Sequence, residues 1–426
     1  MNPLSEVARE RGIRYFLIAY TDLFGVMRAK LVPARAIDGM AAEGAGFAGF
    51  ATWLDLTPAD PDVLAVPDPA SLIQLPWKPD VAWLAANPTM DGREVEQAPR
   101  NVLRRVVAQA GDLEMRTGVE PEFFLIQPDG EAIADAADRQ PKPCYDQLTL
   151  MRRYDVIAEI ADAMEQLGWE PYQNDHEDAN GQYEMNWAYA PALVTADRHA
   201  FFKYMVRSVA ERHGMRATFM PKPFADLTGS GCHAHISVWR GANNAFAGDG
   251  ALGLSDVAHQ FLGGLMAHAE ALCALTNPAV NSYKRINAPV TASGATWSPS
   301  SISWAGNNRT HMVRVPGPGR IEYRLADGAA NPYLLQAGLL AAGLDGIARA
   351  RDPGPRMDND MYAAPSEARA LPLNLLDALR AFEASEPLRE ALGAPFATAY
   401  AKLKRREWDD YMRHLTQWER DATLDC

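Results

Sequence analysis

Residues 229–239, GSGCHAHISVW, place two histidines two positions apart, between a glycine-rich turn and an alternating apolar run. Side chains alternate across an extended strand, so His233, His235 and Ser237 share one face, with Ala234, Ile236 and Val238 on the other. Three other stretches carry ionisable groups in the same manner. In VEPEFFLI, Glu120 and Glu122 point together, opposite Phe123 and Leu125. In GRIEYRLAD, Arg320, Glu322 and Arg324 alternate with Ile321, Tyr323 and Leu325, and DHEDANGQYEMNW adds Asp175, Glu177 and, past a glycine turn, Glu184. One such face alone reads as a strand facing water; four together favour a shared pocket. Glutamates with a single histidine are oxygen and nitrogen donors that suit Mg²⁺ or Mn²⁺ better than zinc thiolate chemistry. The interleaved arginines imply anions beside those cations, which is the arrangement that phosphoryl transfer needs.

More arginines lie nearby: NSYKRINAP holds Lys284 and Arg285, and GNNRTHMVRVPGPGR holds Arg309, Arg314 and Arg320. They sit among glycine, proline and asparagine rather than on a regular helix, as in loops that converge on a pocket. Arginine suits bidentate recognition of phosphate or carboxylate. A Walker A loop, a strand-linked GxGxxG and a kinase catalytic loop are all missing, so any nucleotide must be held by another architecture.

The elements around these faces are helices and short strands in alternation. PRNVLRRVVAQAG opens an amphipathic helix near residue 100; DVIAEIADAMEQLGW and RHAFFKYMVRSVAERHG are two more, each stopped by glycine. Residues 14–33 predict two strands joined by a turn around Asp22 to Gly25, and the proline-rich stretch from Asp55 to Pro99 resists long helices. From about Pro372 the chain reads as charged helix. With 426 residues the expectation is two domains, or one large one with an appendage, and the onset of the helix at PRNVLRRVVAQAG puts a boundary near residue 100.

With 48% hydrophobic and 22% charged residues the chain has material for a sizeable core. A net charge of −13 argues against nucleic-acid binding by a general basic surface. The four cysteines form no CxxC pair, the N-terminal residues lack an apolar signal core, and no run approaches a membrane span. The expectation is a cytoplasmic protein with no membrane partner.

The ordered set EPEFF, HEDANGQYE, GSGCHAHIS, NSYKR, NNRTHMVRVP and GRIEYRLADGAANPY resembles the glutamine synthetase family from about residue 100 to 340, and DLFGVMRAK resembles its N-terminal β-grasp domain. The resemblance implies an α+β protein, with that β-grasp domain over residues 1–99 followed by a catalytic domain, residues 100–426, whose curved antiparallel sheet is backed by helices. It also implies a homo-oligomer, a dodecamer of stacked hexameric rings with active sites between subunits. ATP and glutamate would enter opposite ends of a funnel. The γ-carboxylate is then phosphorylated, and an amine displaces phosphate. By this resemblance Glu122, Glu177 and Glu184 match one metal site, and Glu120, His233 and Glu322 the other. His235, Ser237, Arg314, Arg320 and Tyr189 match the ATP side. Thr228, Gly229, Arg285 and Arg324 fall at the glutamate, and Arg309 matches the arginine at the transferring phosphoryl group.

The chain departs from the family at the amine end. An aspartate in FDGSS and a glutamate in a GYEAP flap ordinarily bind ammonium; here the aligned segments are FAGFA, residues 47–51, with Ala48 and Ala51, and INAPVTASGATW, without the glutamate. The asparagine expected before GSG is Thr228. A pocket without these carboxylates holds ammonium less well and tolerates a methyl group, worth about 0.8 kcal/mol when buried. The reading is a glutamate–amine ligase for methylamine, with Asp175 or Glu184 taking the amine proton. Ordinary glutamine synthesis from ammonia, or ligation of a larger amine, are the alternatives within the class. A phosphagen-type kinase would form product without an amine, and a catalytically dead relative would have lost metal ligands that are all present here. Tyr362 falls where some bacterial members are adenylylated, although a plain loop tyrosine fits its surroundings better.

Overall fold

A computed structural model describes residues 3–291, 296–363 and 367–426. The N-terminal residues build a mixed sheet. Strand Tyr15–Thr21 pairs antiparallel with Met27–Pro33 through the predicted turn, and parallel with the central strand Val81–Met90. Alternation along these strands divides the sheet's two faces. Phe16, Ile18, Tyr20, Ala82, Leu84 and Ala86 point into a small core of the first hundred residues, beneath the helices Leu4–Arg11 and Ile37–Glu43. Ala19, Trp83 and Ala85 point the other way and belong to the main core, against residues such as Phe201. Burying side chains of this size contributes about 1.5–3 kcal/mol each, so the N-terminal sheet is fastened to the rest by its second face.

The remainder carries two sheets. A seven-stranded one runs in the order Ala190–Pro191, Glu114–Pro121, Cys232–Arg240, Arg320–Tyr323, Val313–Gly317, Trp304–Ala305, with Asn243–Asn244 added beside the third. A four-stranded one runs Pro171–His176, Gln182–Trp187, Phe123–Ile126, Arg216–Thr218. The pairs are antiparallel apart from Trp304–Ala305 with Val313–Gly317. Helices Pro99–Gln109, Ala192–Arg212 and Pro332–Ala348 back the sheets, and helices from Leu375 onward close the chain.

The expected helices are present, and the turns at Gly168 (φ 67°) and Gly214 (φ 70°) end two of them in the left-handed conformation that glycine adopts without strain. One expectation is corrected. VEPEFFLI is not a single strand: Pro121 ends one in the larger sheet and Phe123 begins one in the smaller. Glu122 stands between them, its N–H donating to the Gly231 carbonyl at 3.1 Å. Pro121 has no N–H to continue the ladder, so the chain changes sheet there. The consequence is that Glu120 and Glu122 reach one cavity from two sheets.

Candidate active site

Register builds the centre of the site. Cys232–Arg240 lies between two partners, which sets His233 directly opposite Glu120 and His235 directly opposite Glu322. The glycines before it are forced by space. A Cβ on Gly229 would sit 2.4 Å from the Pro221 carbonyl oxygen, and one on Gly231 within 3.0 Å of Arg285, Glu122 and His233. The turn GSG therefore threads between functional side chains where no larger residue fits. In the smaller sheet Asp175 lies opposite Glu184, and Glu177 follows just past the strand end.

These residues line a cavity of about 370 Å³ that takes in Glu120, Glu122, Asp175, Glu177, Glu184, His233, His235, Glu322 and four arginines, Arg309, Arg314, Arg320 and Arg324. Ligand atoms of Glu120, His233 and Glu322 lie within 4.8 Å of one another, as do those of Glu122, Glu184 and His233, and of Asp175, Glu177 and Glu184. The expected trio Glu120, His233 and Glu322 is thus assembled as one group. The other expected trio, Glu122, Glu177 and Glu184, is shared between two groups that meet at Glu184, with Asp175 as an additional donor.

The charges in this cavity do not balance evenly. His233 Nδ1 faces Glu120 Oε2 at 3.4 Å, and His235 Nε2 pairs with Glu120 Oε1 at 3.0 Å. Against the upward push of burial, those two histidines hold Glu120 well below the usual carboxylate range. Glu322 is likewise held down against burial, by Arg324, which pairs with it, and by the histidines and Arg314, the last at 2.7 Å. Glu177 and Glu184 behave oppositely. Burial pushes both well above the ordinary value, with help from Glu122 for Glu177 and from Glu120, Glu177 and Glu122 for Glu184. Asp175 is raised by burial and by Glu120.

Three carboxylates crowded together, Glu184 buried and Asp175 and Glu177 half-buried, are a costly arrangement unless a cation joins them. His233 Nε2 is also buried without a hydrogen-bond partner among the described residues. Oxygen-rich donors with one imidazole fit a hard divalent cation.

Sequence reasoning missed the groups that hold these ligands. Gln182 donates to Glu122 Oε2 at 3.1 Å, the Gly231 N–H donates to the same oxygen at 2.7 Å, and Asn186 donates to Glu184 at 3.0 Å. Each is neutral and adjacent to a ligand in sequence or space, so only the fold reveals it.

A second cavity of about 300 Å³ opens from the first, sharing Glu120, Tyr172, His235 and Arg320, and continues past Ser237 to Tyr189. Tyr189 stacks on Trp239 with a 19° interplanar angle, and the Arg116 guanidinium lies 4.5 Å from the Trp239 ring. Trp239, Arg116 and Tyr172 were not anticipated. Trp239 continues the His233–Ser237 face by strand alternation, which was the available signal.

Arg285 is buried and donates to the Leu325 carbonyl at 2.9 Å; Arg324 donates to the Arg309 carbonyl at 3.1 Å. Thr228 donates to Asp178 at 2.9 Å, so its hydroxyl is engaged behind the turn. Tyr362 is half-buried, with Arg324 and Arg285 near enough to oppose the rise that burial causes in its phenol. Tyr145, Cys144 and Trp297 complete the first cavity's rim. Ala48 is exposed, as are Phe50 and Trp53, and none of the three lines either cavity. In the loop after Arg285, residues 292–295 lie outside the described part.

Carboxylates for divalent cations, arginines for anions and an aromatic-walled annex define a nucleotide-dependent group-transfer enzyme. Residues 96–423 match the family described as "Glutamine synthetase, catalytic domain". The chain belongs to the glutamine synthetase family of ligases.

It is 66% identical to a "Glutamine synthetase" of Rhizobium leguminosarum bv. phaseoli over 99% of both chains. It is 39% identical to a "Glutamate--methylamine ligase" of Methyloversatilis universalis, over 98% of this chain and 97% of that one. A solved structure described as "GmaS/ADP complex-Conformation 1" superposes with a TM-score of 0.98 at 66% identity, covering the whole of both chains.

Proposed function

We propose that this protein joins the γ-carboxylate of glutamate to methylamine at the expense of ATP, releasing ADP and phosphate. The observation that carries this reading is a contrast between two parts of the chain: the carboxylates and histidines expected to hold metal gather in one cavity, while Ala48 and Ala51, outside that cavity, stand where the family's ammonium site has polar groups. The similarity to the Methyloversatilis ligase and to the ADP-bound structure supports it.

In this reading Glu120, His233 and Glu322 hold one divalent cation, and Glu122, Glu177 and Glu184 the other. Mg²⁺ or Mn²⁺ bound there would supply positive charge against the phosphate oxygens. ATP lies along His235, Ser237 and Tyr189, with Arg314 and Arg320 at its phosphates. Gly229, Thr228, Arg285 and Arg324 hold glutamate in line, and Arg309 neutralises the transferring phosphoryl group. The glutamate oxygen attacks the γ-phosphorus, ADP leaves, and the amine nitrogen then attacks the acyl carbon and expels phosphate. Asp175, raised by burial and outside the two expected ligand trios, takes the amine proton; Glu184 is the second candidate.

The same reading includes residues 1–99 and 100–426 as the two domains, and a homo-oligomer, a dodecamer of stacked hexameric rings. Phe50, Trp53, Leu415 and Trp418 are large apolar side chains exposed on a single chain, which favours burial against further copies. None of the helices among the described residues is long and apolar enough to cross a membrane, consistent with the proposed cytoplasmic location.

The test measures phosphate release with glutamate and ATP while the amine is varied. Methylamine should exceed ammonium in kcat/KM by about tenfold, the scale of one methyl group in a fitted pocket. Equal or better use of ammonium would return the protein to glutamine synthesis.

A further inference from the structure

A third cavity, about 600 Å³, lies between the turn at Thr21–Met27 in the N-terminal sheet and helix Ala192–Arg212. It shares no residue with the two cavities above. Its lining holds two cations, Lys203 and Arg207, and no acidic residue, in a chain of net charge −13. The two are one helical turn apart and both lie over Phe219, at 5.3 Å and 5.4 Å from the ring centroid. Among the described residues Arg207 makes no hydrogen bond or ion pair, and Lys203 donates only to the Gly328 carbonyl, at 2.7 Å. Burial, with Arg207 beside it, brings the Lys203 ammonium down to about 8, more than the opposing pull of Cys232 and Asp327 restores.

We propose that this cleft binds a small dicarboxylate anion, and that its occupancy is felt at the glutamate turn. Two cations at helical spacing suit two anionic ends, and the apolar walls, including Phe24 and Phe219, suit a carbon spine better than a fully polar phosphate. The link to the turn is main chain. Gly328, whose carbonyl Lys203 holds, donates its own N–H to the Ser230 carbonyl at 3.3 Å; the Ser230 N–H donates to the Pro221 carbonyl at 2.8 Å. Pro221 and Gly328 both line the cleft, and Gly229 packs between Pro221 and Arg285. A carboxylate that draws Lys203 off Gly328 therefore acts on the backbone that sets Gly229 against Arg285. The binding itself does not depend on the proposed function, whereas the coupling rests on that reading of the turn.

Succinate is the probe, titrated calorimetrically into the full-length protein with glutamate and ADP saturating, so that the anion sites of the catalytic cavity are filled. One saturable site per chain is expected. Arg207→Ala should weaken it about tenfold, the loss of one charge-assisted hydrogen bond, and Arg207→Lys should keep most of the affinity. Both variants should retain the basal kcat and glutamate KM measured without succinate. In wild-type protein succinate should change the glutamate KM in a manner that excess glutamate does not abolish, and Arg207→Ala should lose this response. No saturable binding, as when another copy of the chain fills the cleft, or equal affinity in Arg207→Ala, overturns the site. Tighter binding of inorganic phosphate than of succinate overturns the dicarboxylate assignment. Binding without any change in glutamate KM overturns the coupling alone.

Discussion

The strand Cys232–Arg240 and the loop that follows Arg285 serve the same cavity under different constraints. Along the strand, each side chain's direction is fixed by pairing on both edges, and every second residue from His233 to Trp239 lines one of the two joined cavities. Among the loop's described residues, 287–291 and 296–303, no strand ladder forms, and the sequence here lacks the glutamate of the family's flap. A strand between two partners cannot lose one ligand without disturbing the others, whereas a loop can exchange a residue at little structural cost. In the proposed reaction the phosphoryl-transfer end therefore keeps its residues, whereas the amine end can exchange them.

The largest effect should come from the preserved end. Glu322→Gln keeps shape but removes a charge that Arg314, Arg324 and the histidines all face. Turnover should fall by about a thousandfold, the upper range for loss of one electrostatic contact at a reacting centre, and cation affinity should fall with it. Steady-state kinetics with added Mg²⁺ and Mn²⁺ reads both; near-normal activity would remove Glu322 from the ligands.

The second effect follows from the opposite perturbations of Glu120 and of the pair Glu177 and Glu184. The pair is raised well above the ordinary glutamate value, so its contribution to stability is complete below that value and lost as pH rises through the raised one. The metal-free protein should thus be less stable at high pH on their account. A cation must displace the protons they retain, so its affinity should rise by up to about tenfold per pH unit for each proton released. Calorimetric cation titrations in buffers of different ionisation enthalpy count those protons. A pH-independent affinity with no release would mean that Glu177 and Glu184 are already ionised.

At the altered end, Ala48→Asp restores a carboxylate where the family carries one. An exposed position costs little in folding, so the change should appear in selectivity, moving the ratio of kcat/KM for ammonium over methylamine upward by about tenfold. An unchanged ratio would place amine selection on the cavity's own lining, with Tyr145 and Trp297 the next residues to vary.

How much of this was legible before the fold was known follows the same division. His233, His235, Glu120, Glu322 and Glu184 could be found because alternation puts a side chain on a face without knowledge of its neighbours. The two helix ends at Gly168 and Gly214 were readable for a similar local reason. The change of sheet at Glu122 was not, since it depends on the pairing of Pro121 with Cys232 and of Phe123 with Tyr183. Gln182 and Asn186 were invisible because neutral amides carry no signal of the carboxylate they will meet. The resemblance to a family supplied roles, and the registers explain why those roles fall on these residues.

The smallest effect tests whether loops near the preserved end also take part. Tyr362 stands on a segment packed over Asn308–His311: Asn308 and His311 both contact the Asn359 carbonyl, and the Met361 N–H donates to Thr310. That packing turns the phenol inward, unlike the exposed site that modification would require. Burial keeps the phenol neutral and thus a donor, beside the two arginines assigned to glutamate. In the proposed function that donor would reach bound glutamate, so Tyr362→Phe, at about 0.5–1.5 kcal/mol for one neutral hydrogen bond, should raise the glutamate KM by roughly two- to tenfold while sparing kcat. A fall in kcat with KM unchanged would instead place the hydroxyl at the transferring phosphoryl group, and the loop would then belong with the strand rather than with the exchangeable rim.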